Sequence, residues 1–257
     1  MLTTKKDFER IFTKLSIRKK DSISVVSNSL GILLYNKKKK KKFKIENILL
    51  ALKKIVSIHG LIMIDAFNWD FCKKKIYDYK NSTNSIGALA KSALNDNEFN
   101  RSNNPIYSFL VYGKNKKKIC NLKHETCFGM DTPFGKMIKN KGKCLIIDLD
   151  FRASAYVHVA EQLANVEYRF FKKFKGIMIK DGKKEKISTK MFCRDLRKKV
   201  DTFTHPSFKE VLFKNKAIKE VKVKNILFTL IEIEKAHKLI LNDLKNKREY
   251  TYPIRIK

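Results

Sequence analysis

Several features that mark other protein classes are scarce or absent in this sequence. The 257 residues include only 9 glycines and 4 prolines, which excludes collagen-like and low-complexity chains. The five cysteines form no C-x-x-C pair and match no zinc spacing, so neither a disulfide framework nor a metal site is expected. No apolar run approaches the roughly 18 residues of a membrane span, and the first residues lack the apolar region of a signal peptide. We therefore expect a globular, cytoplasmic protein with no metal and no membrane span.

Acidic residues are also few. There are 25 of them against 58 basic residues, a net charge of +33, which invites a nucleic-acid partner. Arginine, however, supplies only nine of the basic residues, and the charge is spread along the whole chain, so no specific nucleic-acid partner is expected. The densest run, Lys37 to Lys42, is interpreted as a solvated loop, with a phosphate-facing or membrane-facing role as the alternative. A lysine bias of the source genome gives the same composition.

Apolar residues are plentiful enough for a packed core, at 43% of the chain, and they recur with helical or strand spacing. The predicted helices cover residues 5–15, 45–56, 84–94 and 154–165, and the predicted strands cover residues 22–27, 61–64, 105–111 and 144–150. This alternation predicts an α/β fold: a three-layer α/β/α arrangement with a mixed central sheet.

The pattern changes after Phe174. Two apolar segments flank a turn at Asp181 and Gly182, which predicts a β-hairpin, and residues 225–245 then predict a last strand and helix. These elements are expected to form a small C-terminal appendage. We predict a core of residues 1–174, with residues 175–257 completing the same domain.

The sharpest local constellation is His158 and Glu161, just after the predicted strand that ends at Asp148 and Asp150. Residues three apart share one face of a helix, so the carboxylate can lie beside the imidazole. Beyond the carboxyl end of a strand, such a pair lies where open α/β sheets bind ligands, and it can act as a general base. The alternative is that the two residues have no catalytic role and are an ordinary pair on a helix surface, or that His158 is a core histidine with satisfied hydrogen bonds.

Six segments resemble, in order, motifs of the aminoglycoside 3-N-acetyltransferase family. Asp21 to Leu30 (DSISVVSNSL) is similar to the family's early G-D-x-V-x-x-H-S-S-L segment. Leu61 to Phe71 (LIMIDAFNWDF) is similar to G-T-L-x-x-P-T-F with an N-W-x-F extension. Tyr77 to Leu89 (YDYKNSTNSIGAL) resembles D-x-x-x-T-P-S-x-x-G-A-L.

The other three segments follow downstream. Arg101 to Ser108 (RSNNPIYS) resembles R-S-x-H-P-x-x-S, and Cys127 to Phe134 (CFGMDTPF) resembles G-x-D-S-P-F. The His158 to Glu161 segment (HVAE) is similar to H-x-A-E. Each motif alone is weak, but six in the right order identify the chain as a member of the family over residues 5–174.

The resemblance implies an acetyl-CoA-dependent N-acetyltransferase that acts on an amino group of an amino sugar, by direct transfer with no covalent enzyme intermediate. It implies His158 and Glu161 as the catalytic residues. Ser27, Asn28, Ser29, Arg101, Ser102 and Ser108 are the implied coenzyme contacts. Asp65, Asp78 and Asp131 are the implied acceptor contacts.

Five positions depart from the family pattern: the glycine before Asp21 and the proline at position 83 are missing, and three side chains differ. Ser27 and Asn104 replace histidines, and Ala155 replaces a threonine. An acyl-enzyme route through Cys127, with His124 as the nearest histidine in sequence, is the alternative mechanism.

The positive charge bears on the acceptor. Aminoglycosides are polycations, so a protein of charge +33 fits an anionic acceptor better, such as a nucleotide-linked amino sugar for surface polysaccharide synthesis. The alternative function is a catalytically weak or inactive family member that binds nucleic acid or other anions. A monomer or a homodimer is expected.

Overall fold

The computed structural model describes residues 2–82, 87–198 and 204–247. In chain order, the helices and strands are α1 (Lys5–Lys14), β1 (Ser22–Ser27), α2 (Leu30–Lys38), α3 (Glu46–Val56), β2 (Leu61–Asp65), α4 (Phe71–Lys74), β3 (Ile76–Asp78), α5 (Ala88–Leu94), β4 (Asn100–Arg101), β5 (Phe109–Gly113), α6 (Lys116–Cys120), α7 (Pro133–Lys139), β6 (Lys143–Ile147), a 3-10 turn (Phe151–Ala153), α8 (Val157–Leu163), β7 (Arg169–Lys180), β8 (Lys183–Arg194), α9 (Phe208–Lys214), β9 (Ile218–Val223), β10 (Ile226–Glu232) and α10 (Ile233–Lys245).

The centre of the fold is a seven-stranded mixed sheet in the order β4-β5-β2-β1-β6-β10-β9. Strands β2, β1 and β6 are parallel, whereas β5 and β10 run antiparallel to their neighbours. Helices cover both faces, with α1, α3 and α5 on one side and α7, α8 and α10 on the other. The predicted three-layer α/β fold with a mixed sheet is confirmed.

Burial on both faces explains the continuous apolar strands. In β2, Ile62 and Ile64 face the core under α1 and α3, while Leu61 and Met63 face the opposite core. A strand of a half-exposed sheet would alternate apolar and polar residues, but a central strand covered on both sides needs apolar side chains at every position. The run Leu61–Ile64 therefore marks the middle of the sheet.

The C-terminal elements differ from the predicted appendage. β7 and β8 form the expected hairpin around Asp181 and Gly182, both in the left-handed region that a two-residue turn requires, and β7 pairs with β3 in a separate three-stranded sheet. The last strand, β10, instead pairs with β6 and so extends the central sheet. Strand β10 is not part of an appendage, because its side chains pack into the hydrophobic cores on both faces of the central sheet. The division at residue 174 stays a prediction.

Element boundaries account for the remaining differences. Helix α2 continues through Lys38, so the first two lysines of the Lys37–Lys42 run end a helix, and all six are exposed as expected for a solvated segment. The proposed helix caps Asn84 and Ser85 lie outside the described residues. β5 begins at Phe109 instead of Pro105, because the Asn104 side chain accepts from the N–H groups of Ile106 and Tyr107 and forms a turn there.

Candidate active site

A cleft of about 530 Å³ opens where β1 and β2 end. The last residues of these strands, Ser27 and Asp65, line it together with the segment from Arg152 to His158 that follows β6. The aromatic side chains of Phe67, Trp69 and Tyr107 complete much of its wall. The carboxyl ends of parallel strands therefore build the cleft, as in other open α/β sheets.

His158 and Glu161 lie on the first turns of α8 and are in direct contact. His158 Nδ1 is 2.6 Å from Glu161 Oε2, the imidazole lines the cleft with 25% of its side chain exposed, and the carboxylate is almost fully buried at 2%. Nδ1 therefore carries the proton that it donates to the carboxylate, and Nε2 is left to accept a proton. The ring of Phe128 packs 5.0 Å from the imidazole and limits its movement.

Glu161 has two further partners. Arg169 Nε lies 2.9 Å from Oε2, and the Tyr168 hydroxyl donates to Oε1 at 3.1 Å. Burial alone would raise the pKa of Glu161, but the charges and hydrogen bonds of His158 and Arg169 outweigh it and hold the pKa below its usual value. Glu161 is therefore a buried carboxylate that stays ionised behind the imidazole.

Tyr168 and Arg169 were not predicted from the sequence. Arg169 lines the cleft at the start of β7, where its Nη1 also donates to the Phe192 carbonyl at 3.2 Å. No periodicity or motif links these residues to His158, since the contact arises only from the turn that joins α8 to β7. Sequence reasoning had no signal for them.

The predicted coenzyme contacts at the end of β1 are only partly available. Ser27 lines the cleft and Asn28 is exposed beside it, whereas Ser29 is buried at the N-cap of α2. The Asn28 N–H donates to the Ile147 carbonyl at 2.9 Å, and the Asn28 side chain accepts from the Leu30 N–H at 3.0 Å. The Asn28 N–H is therefore already used within the sheet, and the role of Asn28 as a coenzyme contact stays a prediction.

Arg101, Ser102 and Ser108 are not in the cleft lining. Arg101 is buried, donates to Ser108 Oγ at 3.1 Å and to the Ala66 carbonyl at 2.9 Å, and stacks on Tyr77. Ser102 Oγ accepts from the Phe109 N–H at 2.9 Å. These side chains hold the segments behind the cleft together, so their role as coenzyme contacts stays a prediction that no contact here supports.

Of the three predicted acceptor contacts, the structure brings only Asp65 to the cleft. Desolvation raises its pKa well above the usual value, so burial favours the neutral acid. Asp78 lies at a turn and accepts from the Lys80 and Asn81 N–H groups at 2.9 Å each, and Asp131 is exposed outside the cleft lining.

Three of the departures from the family pattern have different surroundings. Ser27 and Ala155 both line the cleft, whereas Asn104 is buried in the turn before β5. Replacement of the family histidine at Asn104 therefore serves local structure in this chain.

Cys127 is a poor nucleophile. It is buried 3.5 Å from Thr189 Oγ1, and burial raises its pKa to about 12, so the thiol stays protonated at neutral pH. Its sequence neighbour His124 instead contacts the Thr126 carbonyl at 2.8 Å. The geometry gives no support to the acyl-enzyme route.

The described residues offer neither a metal site nor a membrane span. Within the described ranges, no three histidine, cysteine or acidic side chains are grouped so that they could hold a metal ion. In the same part of the chain, no helix is both long and apolar enough to cross a bilayer.

The fold and the cleft together define an α/β protein whose cleft is lined by a histidine in contact with a buried carboxylate. A profile of the aminoglycoside 3-N-acetyltransferase family matches residues 37–244, and the chain belongs to that family. The predicted family is thereby confirmed, and it is a family of N-acetyltransferases.

Individual relatives agree with this assignment. The SPbeta prophage-derived aminoglycoside N(3')-acetyltransferase-like protein YokD of Bacillus subtilis (strain 168) is 32% identical over 99 residues, and this match spans 36% of each protein. The crystal structure of YokD superposes with a TM-score of 0.73 and 21% identity over 96% of this chain and 94% of that one.

Two solved acetyltransferases share the fold at lower identity. AAC(3)-Xa has a TM-score of 0.78 and 14% identity over 95% of this chain and 93% of that one. AAC-IIIb, solved as a binary complex with CoASH, has a TM-score of 0.78 and 14% identity over 96% of this chain and 97% of that one. The fold of these acetyltransferases therefore matches nearly the whole chain, including residues outside the 37–244 range of the family profile.

Proposed function

We propose that this protein transfers the acetyl group of acetyl-CoA to an amino group of an amino sugar, with His158 as the general base. The observation that carries the proposal is the 2.6 Å contact between His158 Nδ1 and Glu161 Oε2 at the wall of the cleft. This contact leaves Nε2 free to face a substrate amine, as a base must.

The chemistry requires a neutral amine, because an ammonium group has no lone pair. The amine nitrogen attacks the thioester carbonyl carbon, the C–N bond forms and the C–S bond breaks. His158 takes the amine proton, and the departing thiolate of coenzyme A takes up a proton in turn. The buried charge of Glu161 stabilises the imidazolium that forms, while Arg169 and Tyr168 hold the carboxylate in position.

Asp65 and Ser27 are the proposed substrate contacts in the cleft. Ser27 ends β1 beside the turn that leads into α2, on the side proposed for the coenzyme. Asp65 lies at the end of β2, where it can accept a hydrogen bond from the acceptor.

We propose that the acceptor is a nucleotide-linked amino sugar for surface polysaccharide instead of a polycationic antibiotic. Among the described residues that line the cleft, Asp65 is the one carboxylate, whereas Arg152 and Arg169 are both present. A site for a polycation needs several carboxylates, because each buried ammonium group requires a partner. The net charge of +33 adds an attractive field for anionic substrates.

The test is thiol release from acetyl-CoA with a panel of aminoglycosides and nucleotide-linked amino sugars. We expect turnover with a nucleotide-linked sugar, and a loss of kcat/KM of about 10²- to 10⁴-fold in His158→Ala, the range that a general base contributes. His59→Ala, which removes an exposed histidine outside the cleft, is the matched control and should keep wild-type rates.

Other outcomes are equally clear. Unchanged activity in His158→Ala would exclude the proposed base, and turnover with aminoglycosides alone would overturn the proposed acceptor. A protein that has lost the chemistry would show no coenzyme-induced thermal shift, together with salt-sensitive nucleic-acid binding.

A further inference from the structure

Helix α2 has an unusual outer face. Leu30, Leu33 and Leu34 are exposed by 56%, 44% and 56% respectively, although each is fully apolar. Positions three and four apart lie on one side of a helix, so the three side chains form one continuous apolar surface, which we call the leucine face. The opposite side of the helix is already packed, with Ile32 and Asn36 buried.

The leucine face continues directly into the densest charge of the chain. Lys37 and Lys38 end α2, Lys39 to Lys42 follow without interruption, and all six side chains are exposed. The ion pairs of the described residues employ other lysines, such as Lys53 and Lys143. A three-leucine surface beside six solvated positive charges is therefore presented outward.

We propose that α2 and the lysine run after it bind the protein to an anionic membrane surface, with the leucine face in the interfacial region and the lysines on the headgroups. Membrane-surface anchors combine exposed apolar side chains with nearby basic residues, and they bind the interface without crossing the membrane. Basic residues near an anionic leaflet add an electrostatic attraction for each charge.

Two other occupants fit this surface less well. A second copy of the chain, docked through the same face, would bring twelve lysines together and so oppose its own association. A nucleic acid would use the lysines but would leave the three leucines in water, because phosphate contacts gain nothing from an aliphatic side chain. An anionic lipid surface is the occupant that uses both halves.

The position of α2 gives this surface a consequence for the cleft. The helix begins three residues after Ser27, which lines the cleft, and Gly31 approaches Asp148 so closely that a Cβ there would lie 2.0 Å from its carboxylate. The helix is therefore fixed against the sheet edge that carries the cleft. Membrane attachment through α2 would hold the cleft near the lipid surface.

The experiment is co-sedimentation of the full chain with sucrose-loaded vesicles in 0.1 M NaCl. One set contains phosphatidylcholine with 30 mol% phosphatidylglycerol, and the other contains phosphatidylcholine alone. We expect binding to the anionic vesicles that is at least tenfold stronger than to the neutral ones and that weakens as salt is raised.

Two variants separate the halves of the surface. Lys39→Gln/Lys41→Gln/Lys42→Gln should weaken binding by on the order of 100-fold, since each lysine near an anionic leaflet contributes about a factor of five. Leu33→Gln/Leu34→Gln should weaken it by about tenfold or more, because the apolar contact is lost while the helix propensity is kept.

Matched controls remove the same groups elsewhere. Lys173→Gln/Lys175→Gln/Lys186→Gln removes three exposed lysines of the β7–β8 hairpin, and Leu50→Gln/Leu196→Gln removes two exposed leucines. Both should bind like the wild type, and circular dichroism should show every variant folded.

The proposal is overturned if the wild type does not sediment with anionic vesicles, or if the hairpin control loses as much binding as the lysine variant. A loss in the lysine variant with none in the leucine variant would also overturn it, because the surface would then be a general polyanion site. Vesicle binding requires no acetyl transfer, so this result is independent of the proposed function.

Discussion

Asp65 is a carboxyl group in a position that opposes its ionisation. It ends a central strand on the core side of Met63, close to Cys144 and Tyr156, and desolvation raises its pKa well above the usual value. A carboxyl whose pKa is higher in the folded than in the unfolded protein keeps its proton in the fold while the unfolded chain releases it. The free energy of unfolding therefore falls as pH rises from about 4 through the folded-state pKa.

Asp65→Asn should remove this loss. We expect the variant to be more thermostable than the wild type at pH 8, and the difference in Tm should shrink steadily towards pH 4. Each kcal/mol of added stability should raise Tm by about 2–4 °C. Thermal unfolding followed by circular dichroism across this pH range measures it. Asp181→Asn, at the tip of the hairpin, should differ from the wild type by no more than about 0.5 kcal/mol at any pH. If Asp65→Asn raised Tm by the same amount at pH 5 and pH 8, the effect could not come from the raised pKa of Asp65.

The contact between β3 and β7 depends on one glycine. A Cβ at Gly176 would lie 2.2 Å from the Lys75 carbonyl oxygen and 2.6 Å from the Phe71 ring. The carbonyl accepts from the Ile177 N–H at 2.9 Å and cannot move without breaking the parallel pairing of the two strands. Close approach of two backbones therefore requires a residue with no side chain at this position.

Gly176→Ala should destabilise the protein by about 1–3 kcal/mol, the usual cost of forcing extra atoms into a packed site. Urea unfolding at constant pH measures the change. Ser188→Ala, on an exposed position of the partner strand β8, is the control and should stay within about 0.5 kcal/mol of the wild type. Equal stability of the two variants would contradict this prediction, because it would show that β3 and β7 can move apart with no loss of stability.

The elements that were predictable are those with a strong local pattern. Helix α1 was identified because Phe8, Ile11 and Phe12 recur at helical spacing, and β6 because its apolar run is buried on both faces. β9 was missed, since its apolar residues Ile218, Val221 and Val223 do not keep a strict alternation with its polar residues. The antiparallel addition of β10 to β6 also had no local signal, because strand order is decided by packing of the whole chain.

The candidate site follows the same rule. His158 and Glu161 were found because they lie three residues apart on one helix. Arg169 and Trp69 were not, since they reach the cleft from other elements and only the assembled sheet brings them together. For Asn28, the sequence cannot show that the N–H already donates to the Ile147 carbonyl, because only the assembled sheet brings these two residues together.

The excess positive charge is a property of the whole molecule. Thirteen ion pairs are present among the described residues, and they involve only seven of the lysines in that part of the chain. Like charges spread over one compact surface repel, and this repulsion decreases when the chain unfolds and the charges move apart. Charge therefore opposes the stability of this fold while it attracts anionic substrates and surfaces.

Added salt should consequently stabilise the protein. We expect Tm to rise as NaCl increases from 10 to 300 mM, since the Debye length falls from about 30 Å at 10 mM to less than 8 Å at 300 mM and the repulsion is screened. The variant Lys39→Gln/Lys41→Gln/Lys42→Gln should be more stable than the wild type at 10 mM, and the difference should shrink at 300 mM. Sucrose at equal osmolality, which adds no ions, should leave that difference unchanged. A Tm that falls as NaCl is added would contradict this prediction. It would show that the surface ion pairs stabilise the fold by more than the repulsion among the lysines destabilises it.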